Sequence, residues 1–171
     1  WPVFVYGGSA YVLGASAVWT AESDQDYAVF GVSVATAGDV NGDGYADVIV
    51  GAHRYDNGQV DEGRAYVYRG SASGLATLPA WTAESDQASA FFGLSVATAG
   101  DINGDGYSEV IVGAPYFDNG QSDEGKAFVY HGSAAGLAFA PAWTAGSDQD
   151  YAHYGYSVAT AGDVNGDGYS D

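Results

Sequence analysis

Ser33-Val34-Ala35-Thr36-Ala37-Gly38-Asp39-Val40-Asn41-Gly42-Asp43-Gly44-Tyr45-Ala46-Asp47-Val48-Ile49-Val50-Gly51-Ala52 reads as a strand, an acidic turn and a second strand without interruption. Over 33–37 small and β-branched residues alternate, the pattern of a tightly packed inner strand. Residues 47–52 form a short apolar run, the pattern of a strand buried on both faces. The same passage returns at 95–114, and its first part returns once more at 157–171.

Those returns belong to a longer period. Trp19, Trp81 and Trp143 are 62 residues apart, and each is followed by Thr-Ala. Residues 20–81 lie on 82–143 without a gap and agree at about 45 of 62 positions, the signature of a repeat architecture. The first residues match the back of a repeat: Phe4-Val5-Tyr6 corresponds to Tyr66-Val67-Tyr68, and Gly8-Ser9-Ala10 to Gly70-Ser71-Ala72. The rest of each repeat continues in β signals. Asn57-Gly58 is a turn, Arg64-Ala65-Tyr66-Val67-Tyr68 a further strand, and Gly74 and Pro79 bracket a weaker outer strand ending near Trp81. No stretch carries a helical period.

Four short strands in about 60 residues predict an all-β fold of propeller-type four-stranded blades. The organisation expected is the end of one blade (strands three and four) at 1–18, complete repeats at 19–80 and 81–142, and the start of a third at 143–171. Joining the two ends would omit the counterpart of 48–62. The chain therefore reads as a segment of a larger propeller, or as a subunit completed by further copies.

A formal charge of −18, with only Arg54, Arg64, Arg69 and Lys126 positive, repels nucleic acid and anionic lipid. Cations are the natural partners of such a surface. An aromatic content of 15% separates the chain from acidic disordered sequences. There is no cysteine for a disulfide framework, and no apolar run reaches the ~18 residues of a bilayer span, so no membrane insertion is expected.

The acidic turn carries the chemistry. Its nine positions are Asp39 to Asp47, then Asp101-Ile102-Asn103-Gly104-Asp105-Gly106-Tyr107-Ser108-Glu109, then Asp163-Val164-Asn165-Gly166-Asp167-Gly168-Tyr169-Ser170-Asp171. Calcium takes six to eight oxygen ligands in tolerant geometry. Asp39, Asn41 and Asp43 at positions 1, 3 and 5 converge when glycine lets the chain turn. Tyr45 adds a backbone carbonyl, and Asp47 closes the site with a carboxylate. The corresponding sets are Asp101, Asn103, Asp105, Tyr107 and Glu109, and Asp163, Asn165, Asp167, Tyr169 and Asp171. An EF-hand is excluded, because it requires Glu at position 12 between helices, where this sequence has Val50 or Val112 inside a strand. Magnesium's stricter octahedron disfavours it. Two or three Ca2+ ions are expected, one per complete loop.

These loops lie between Phe30-Gly31 and Gly51-Ala52-His53, and between Phe92-Gly93 and Gly113-Ala114-Pro115; the third copy has Tyr154-Gly155. In this arrangement the repeat resembles the FG-GAP repeat of integrin α-subunit β-propellers and their bacterial relatives. The resemblance covers essentially the whole chain. It implies four-stranded blades, calcium loops joining strands one and two on one face, and ligand contacts on the opposite face. It also implies a non-enzymatic, secreted or cell-surface protein of adhesion or protein–protein interaction, with a protein or glycan ligand. Two complete repeats are too few for a seven-bladed ring, which leaves a self-assembling subunit, a carbohydrate-binding propeller and a non-catalytic part of a hydrolase as alternatives.

Other groups carry weaker chemistry. Gly31-Val32-Ser33 resembles a nucleophile elbow, but it recurs in every repeat on an inner strand. His53, His131 and His153 occupy three different repeat positions and form no ligand set. Glu22-Ser23-Asp24, Asp61-Glu62 and Glu84-Ser85-Asp86 read as solvated loops rather than a glycosidase pair. The regular tryptophans are read as blade-packing residues rather than sugar platforms. The repeats differ most at 26–29 and 53–55, expected on the face away from the acidic loops, which makes that face the expected contact surface.

Overall fold

A computed structural model describes residues 1–10 and 12–171. Among the described residues ten strands form three antiparallel sheets. The first pairs β1 (Val3–Gly8) with β2 (Leu13–Ala21). The second runs in sequence order through β3 (Ser33–Gly38), β4 (Asp47–Ala52), β5 (Arg64–Tyr68) and β6 (Trp81–Glu84). The third repeats it with β7 (Ser95–Gly100), β8 (Glu109–Ala114), β9 (Lys126–Tyr130) and β10 (Trp143–Gly146). Among the described residues there is no helix. These are up-and-down blades of the β-propeller type, as the spacing predicts.

β4 shows why the sheets stack. Successive side chains on a strand point to opposite faces, and here both faces are covered. Val50 joins Tyr66, Tyr68, Phe30, Trp19 and Val3, packing the blade onto the β1–β2 sheet. Ile49 joins Ala65 and Val67 against Val96, Val110 and Val112 of the next blade. The apolar run of 47–52 is thus the centre of a sheet with a sheet on either side.

Two contacts fix how closely the blades approach. Trp81 is 4% exposed; its ring meets Tyr130 edge-on at 4.9 Å, and its Nε1 donates to the Ala138 carbonyl at 2.9 Å in the next blade. Trp19 repeats this with Tyr68 at 4.9 Å and the Ala76 carbonyl at 2.9 Å. Trp143, with no following blade against it, is 49% exposed. The tryptophans therefore pack blade on blade. The second contact is backbone on backbone: a Cβ at Gly51 would overlap the carbonyl oxygen of Gly93 in the next blade, and one at Gly113 would overlap that of Gly155. Gly93 also holds φ +82°, a left-handed conformation costly to other residues. Both motif glycines are required by this approach.

The phase of the blades differs from the phase of the sequence repeat. The fourth strand begins at Trp81 rather than ending there, because 81–84 pair with 64–67. Likewise β2 extends to Ala21, past the boundary expected at residue 18. A sequence period fixes the length of the unit but not where its hydrogen-bonded sheet starts. In the third copy residues 157–161 form no strand; the partners of β3 and β7 are strands that begin at the ninth loop residue, Asp47 and Glu109.

Trp81→Phe should lower stability by about 1–3 kcal/mol in denaturant unfolding, because it shrinks a ring buried between blades and removes the hydrogen bond to the Ala138 carbonyl. Trp143→Phe should change stability by less than about 0.5 kcal/mol. Equal effects of the two would contradict the blade-packing role.

Candidate metal centres

Each acidic loop is built around its first aspartate. Asp39 Oδ1 accepts from the Gly42 and Asp43 amides at 2.7 and 3.1 Å, and Oδ2 from the Gly44 amide at 2.7 Å. Asp101 does the same with Gly104 (2.7 Å), Asp105 (3.1 Å) and Gly106 (2.9 Å). Asp163 does so with Gly166 (2.7 Å), Asp167 (3.0 Å) and Gly168 (2.9 Å). Burial pushes the Asp39 carboxyl up, but these amides together outweigh it and hold the group below its usual value. Asp39 is therefore a carboxylate at neutral pH, with lone pairs left for a further partner.

The ninth residue does something the sequence did not reveal. Asp47 is fully buried, its Oδ2 accepting from the Val40 amide at 2.9 Å and its Oδ1 from the Gly70 amide at 2.8 Å. Glu109 reaches the Ile102 amide at 2.8 Å and the Gly132 amide at 3.2 Å, spanning the same gap with one more methylene. This carboxylate ties the loop to the segment that follows β5 or β9. Burial pushes both groups above their usual values, against these hydrogen bonds. Asp171 keeps the loop bond, to the Val164 amide at 2.9 Å, but is exposed.

The donor set fits a hard cation. Asn41 Oδ1 is buried and has no hydrogen-bond partner, while its Nδ2 donates to Asp43 Oδ2 at 2.8 Å. An acceptor oxygen without a donor, beside two carboxylates, suits a cation; in the other two loops the oxygens of Asn103 and Asn165 accept the Asp105 and Asp167 amides, both at 2.9 Å. Among the described residues no three carboxylates of one loop bring oxygens within 4.8 Å of one another; in each loop the first and ninth are turned to backbone amides instead. The Tyr45, Tyr107 and Tyr169 side chains have a separate place. The Tyr107 ring covers Gly42 of the preceding loop, where a Cβ would stand 2.6 Å from its Cε1. Tyr169 likewise covers Gly104.

Neighbouring loops are also bonded directly. Ser108 donates its amide to the Asp39 carbonyl at 2.9 Å and accepts the Asp39 amide at Oγ at 3.2 Å. Ser170 donates its amide to the Asp101 carbonyl at 2.9 Å. Position 8 of one loop therefore holds position 1 of the loop before it, so the three loops form a belt along one end of the sheets.

The FG-GAP repeat family profile matches residues 30–68 and 92–130. Integrin alpha-6 of Gallus gallus is 37% identical over 147 residues, which is 83% of this chain and 13% of that protein. Integrin alpha-7 of Mus musculus is 37% identical over 145 residues, 83% of this chain and 12% of that protein. Integrin alpha-PS2 of Drosophila melanogaster is 36% identical over 157 residues, 83% and 11%. The chain thus spans about an eighth of the length of these relatives.

Asp39→Ala should destabilise the metal-free protein by about 1.5–3 kcal/mol, since three amides lose a charged acceptor. Asp43→Ala should cost less than about 1 kcal/mol without metal, because only the exposed Tyr45 amide and the Asn41 side chain depend on it. Chemical denaturation in chelator measures both. With its two matched repeats, its stacked four-stranded blades and its integrin α relatives, the chain belongs to the FG-GAP, integrin α-like β-propeller proteins.

Proposed function

We propose that this is a calcium-stabilised propeller segment serving adhesion or protein–protein interaction outside the cell, without catalysis of its own. The observation that carries the reading is the belt. Each loop pairs an aspartate ringed by backbone amides with a side-chain oxygen at position 3, and the first two loops are each bonded to the loop that follows. In this reading Asp39, Asn41, Asp43 and the Tyr45 carbonyl hold the ion, with Asp47 closing the site. The sets at 101–109 and 163–171 act alike, giving up to three calcium ions. An ion bound there stabilises the folded loop and, through Ser108 and Ser170, its contact with the neighbour.

The opposite end of the sheets supports the contact role. His53, Phe91, Tyr116 and His153 form a continuous row from blade to blade, with ring centroids 5.2, 5.0 and 4.6 Å apart, and Arg54 lies over Phe91 at 5.5 Å. Burial pushes the His53 imidazole below its usual value. Val29, Phe91 and His153 share one repeat position, and all hold positive φ, at 54°, 56° and 52°. For a β-branched or bulky residue that conformation is costly, and such strain concentrates at recognition sites. The row coincides with the segments in which the repeats differ most. A protein ligand reading these side chains would distinguish one blade from another.

Exposed apolar surface favours a second element of the reading. Phe4 and Tyr6 on one outer sheet and Trp143 on the other are exposed, whereas their counterparts Tyr66, Tyr68 and Trp81 in the middle blade are buried against a neighbour. Further blades, from the same polypeptide or another copy, would bury them.

Free calcium at about 100 times its Kd should raise apparent stability by about 2.7 kcal/mol per independent site; a melting temperature unmoved between calcium and chelator would contradict the metal reading. Exchanging 26–29 and 53–55 for 88–91 and 115–117 should alter ligand binding and leave calcium affinity unchanged. Loss of both together would sink the division into two faces.

A further inference from the structure

The end of the blade away from the acidic loops contains a second carboxylate cluster with an oxygen that lacks a partner. Ala52 pairs with Arg64 and Arg64 with Glu84, so this end lies a full strand length from Asp47. Glu62, two residues before β5, is 0% exposed. Its Oε1 accepts from the Asn57 amide at 2.5 Å, but its buried Oε2 has no hydrogen-bond partner. Glu84 at the end of β6 accepts from Asn57 Nδ2 at 2.8 Å and from the Arg64 guanidinium. Asp86 is exposed and completes the group. One oxygen from each of Glu62, Glu84 and Asp86 lies within 4.8 Å of the other two.

We propose that Glu62, Glu84 and Asp86 form a cation site of their own, distinct from the acidic loops and suited to a divalent ion of the calcium class. Oxygens bound to one calcium at about 2.3–2.6 Å can stand up to about 5 Å apart, so this spacing fits a single coordination sphere. Three carboxylates beside Arg64 leave a net charge of −2, which a divalent ion neutralises. Arg64 is held by the Tyr55 ring, 3.9 Å from its centroid, and so fixes Glu84 rather than reaching Glu62. The orphaned Glu62 oxygen gives the cluster its direction: a buried carboxylate oxygen without a donor is costly, and a cation relieves it. Burial pushes the Glu62 carboxyl up, and Glu84 and Asp86 add to it against the Asn57 and Gln59 amides, so protonation is the competing way to relieve the same cost.

The next blade is a built-in control. Its counterpart of Glu62 is Glu124, fully buried with neither oxygen partnered, and its counterpart of Asp86 is Asp148. Gly146 stands where Glu84 stands, and the three-carboxylate cluster is absent among the described residues there. A Cβ at Gly146 would lie 3.4 Å from Glu124 Oε1; of the three carboxylate positions this is the one that differs, and Lys126 stands where Arg64 stands.

The test is a crystal grown in calcium chloride, with anomalous difference maps for the native chain and for Glu84→Gly. The expected result is a peak between Glu62, Glu84 and Asp86, none beside Glu124, and loss of the first peak in Glu84→Gly with any loop peaks intact. Calorimetric titration should show one fewer equivalent of bound calcium for Glu62→Gln than for the native chain. No peak at the cluster in the native crystal overturns the proposal, whether or not the loops are filled. A peak at the cluster with empty loops supports it and contradicts the loop reading instead. Should either variant fail to fold, the native map alone decides.

Discussion

A four-stranded sheet whose central strand is apolar on both faces has no stable existence by itself, because one of those faces meets water unless another sheet covers it. That requirement organises this chain. Val50 and Ile49 are adjacent in sequence and belong to two different cores, one shared with the sheet before and one with the sheet after. Glycine at 51 and 93 lets the two backbones meet, and the Trp81 indole bridges the remaining gap to Ala138. Each blade is a wall of its neighbour's core. Stability in such an array resides mainly at the interfaces between repeats, which explains why the positions that touch a neighbour recur so faithfully.

The acidic loops extend the same logic to polar groups. Their carboxylates organise backbone amides at positions 1 and 9, and position 8 binds the preceding loop, so an ion that tightens one loop also tightens an interface. At the other end the blades are joined by backbone hydrogen bonds, from Phe92 to the Glu62 carbonyl at 3.1 Å and from Tyr154 to that of Glu124 at 2.9 Å. There the side chains are free to differ. Both ends thus join the blades, one through loops that recur almost unchanged and the other through backbone bonds whose neighbouring side chains differ from blade to blade.

Much of this was legible in the sequence, and the parts that were not have physical reasons. The period of 62, the four short strands and the place of the acidic loops between them follow from residue type and spacing, which are local properties. Where the sheet starts within the period is a property of pairing, so Trp81 opened the fourth strand instead of closing it. Candidate ligands in the loop could be named, but the hold of Asp47 on the Gly70 amide could not, because Gly70 lies in the segment after β5, remote in sequence from the loop. Glu62 was the largest miss. Beside Asp61 and Gly63 it reads as a solvated turn, and only the packing of Phe92 and Ser85 around it makes it buried. One signal was available: Asp-Glu-Gly recurs intact at 61–63 and 123–125 although the residues on either side change.

The most direct test of the account is hydrogen exchange of the folded chain with calcium and with chelator. Calcium should slow exchange at the Gly42, Gly44, Gly104 and Gly106 amides. It should also slow exchange at Ser108 and Ser170, which bond to the preceding loop. Slowing confined to the loop glycines, with Ser108 and Ser170 unchanged, would contradict the idea that the metal acts on the contact between blades.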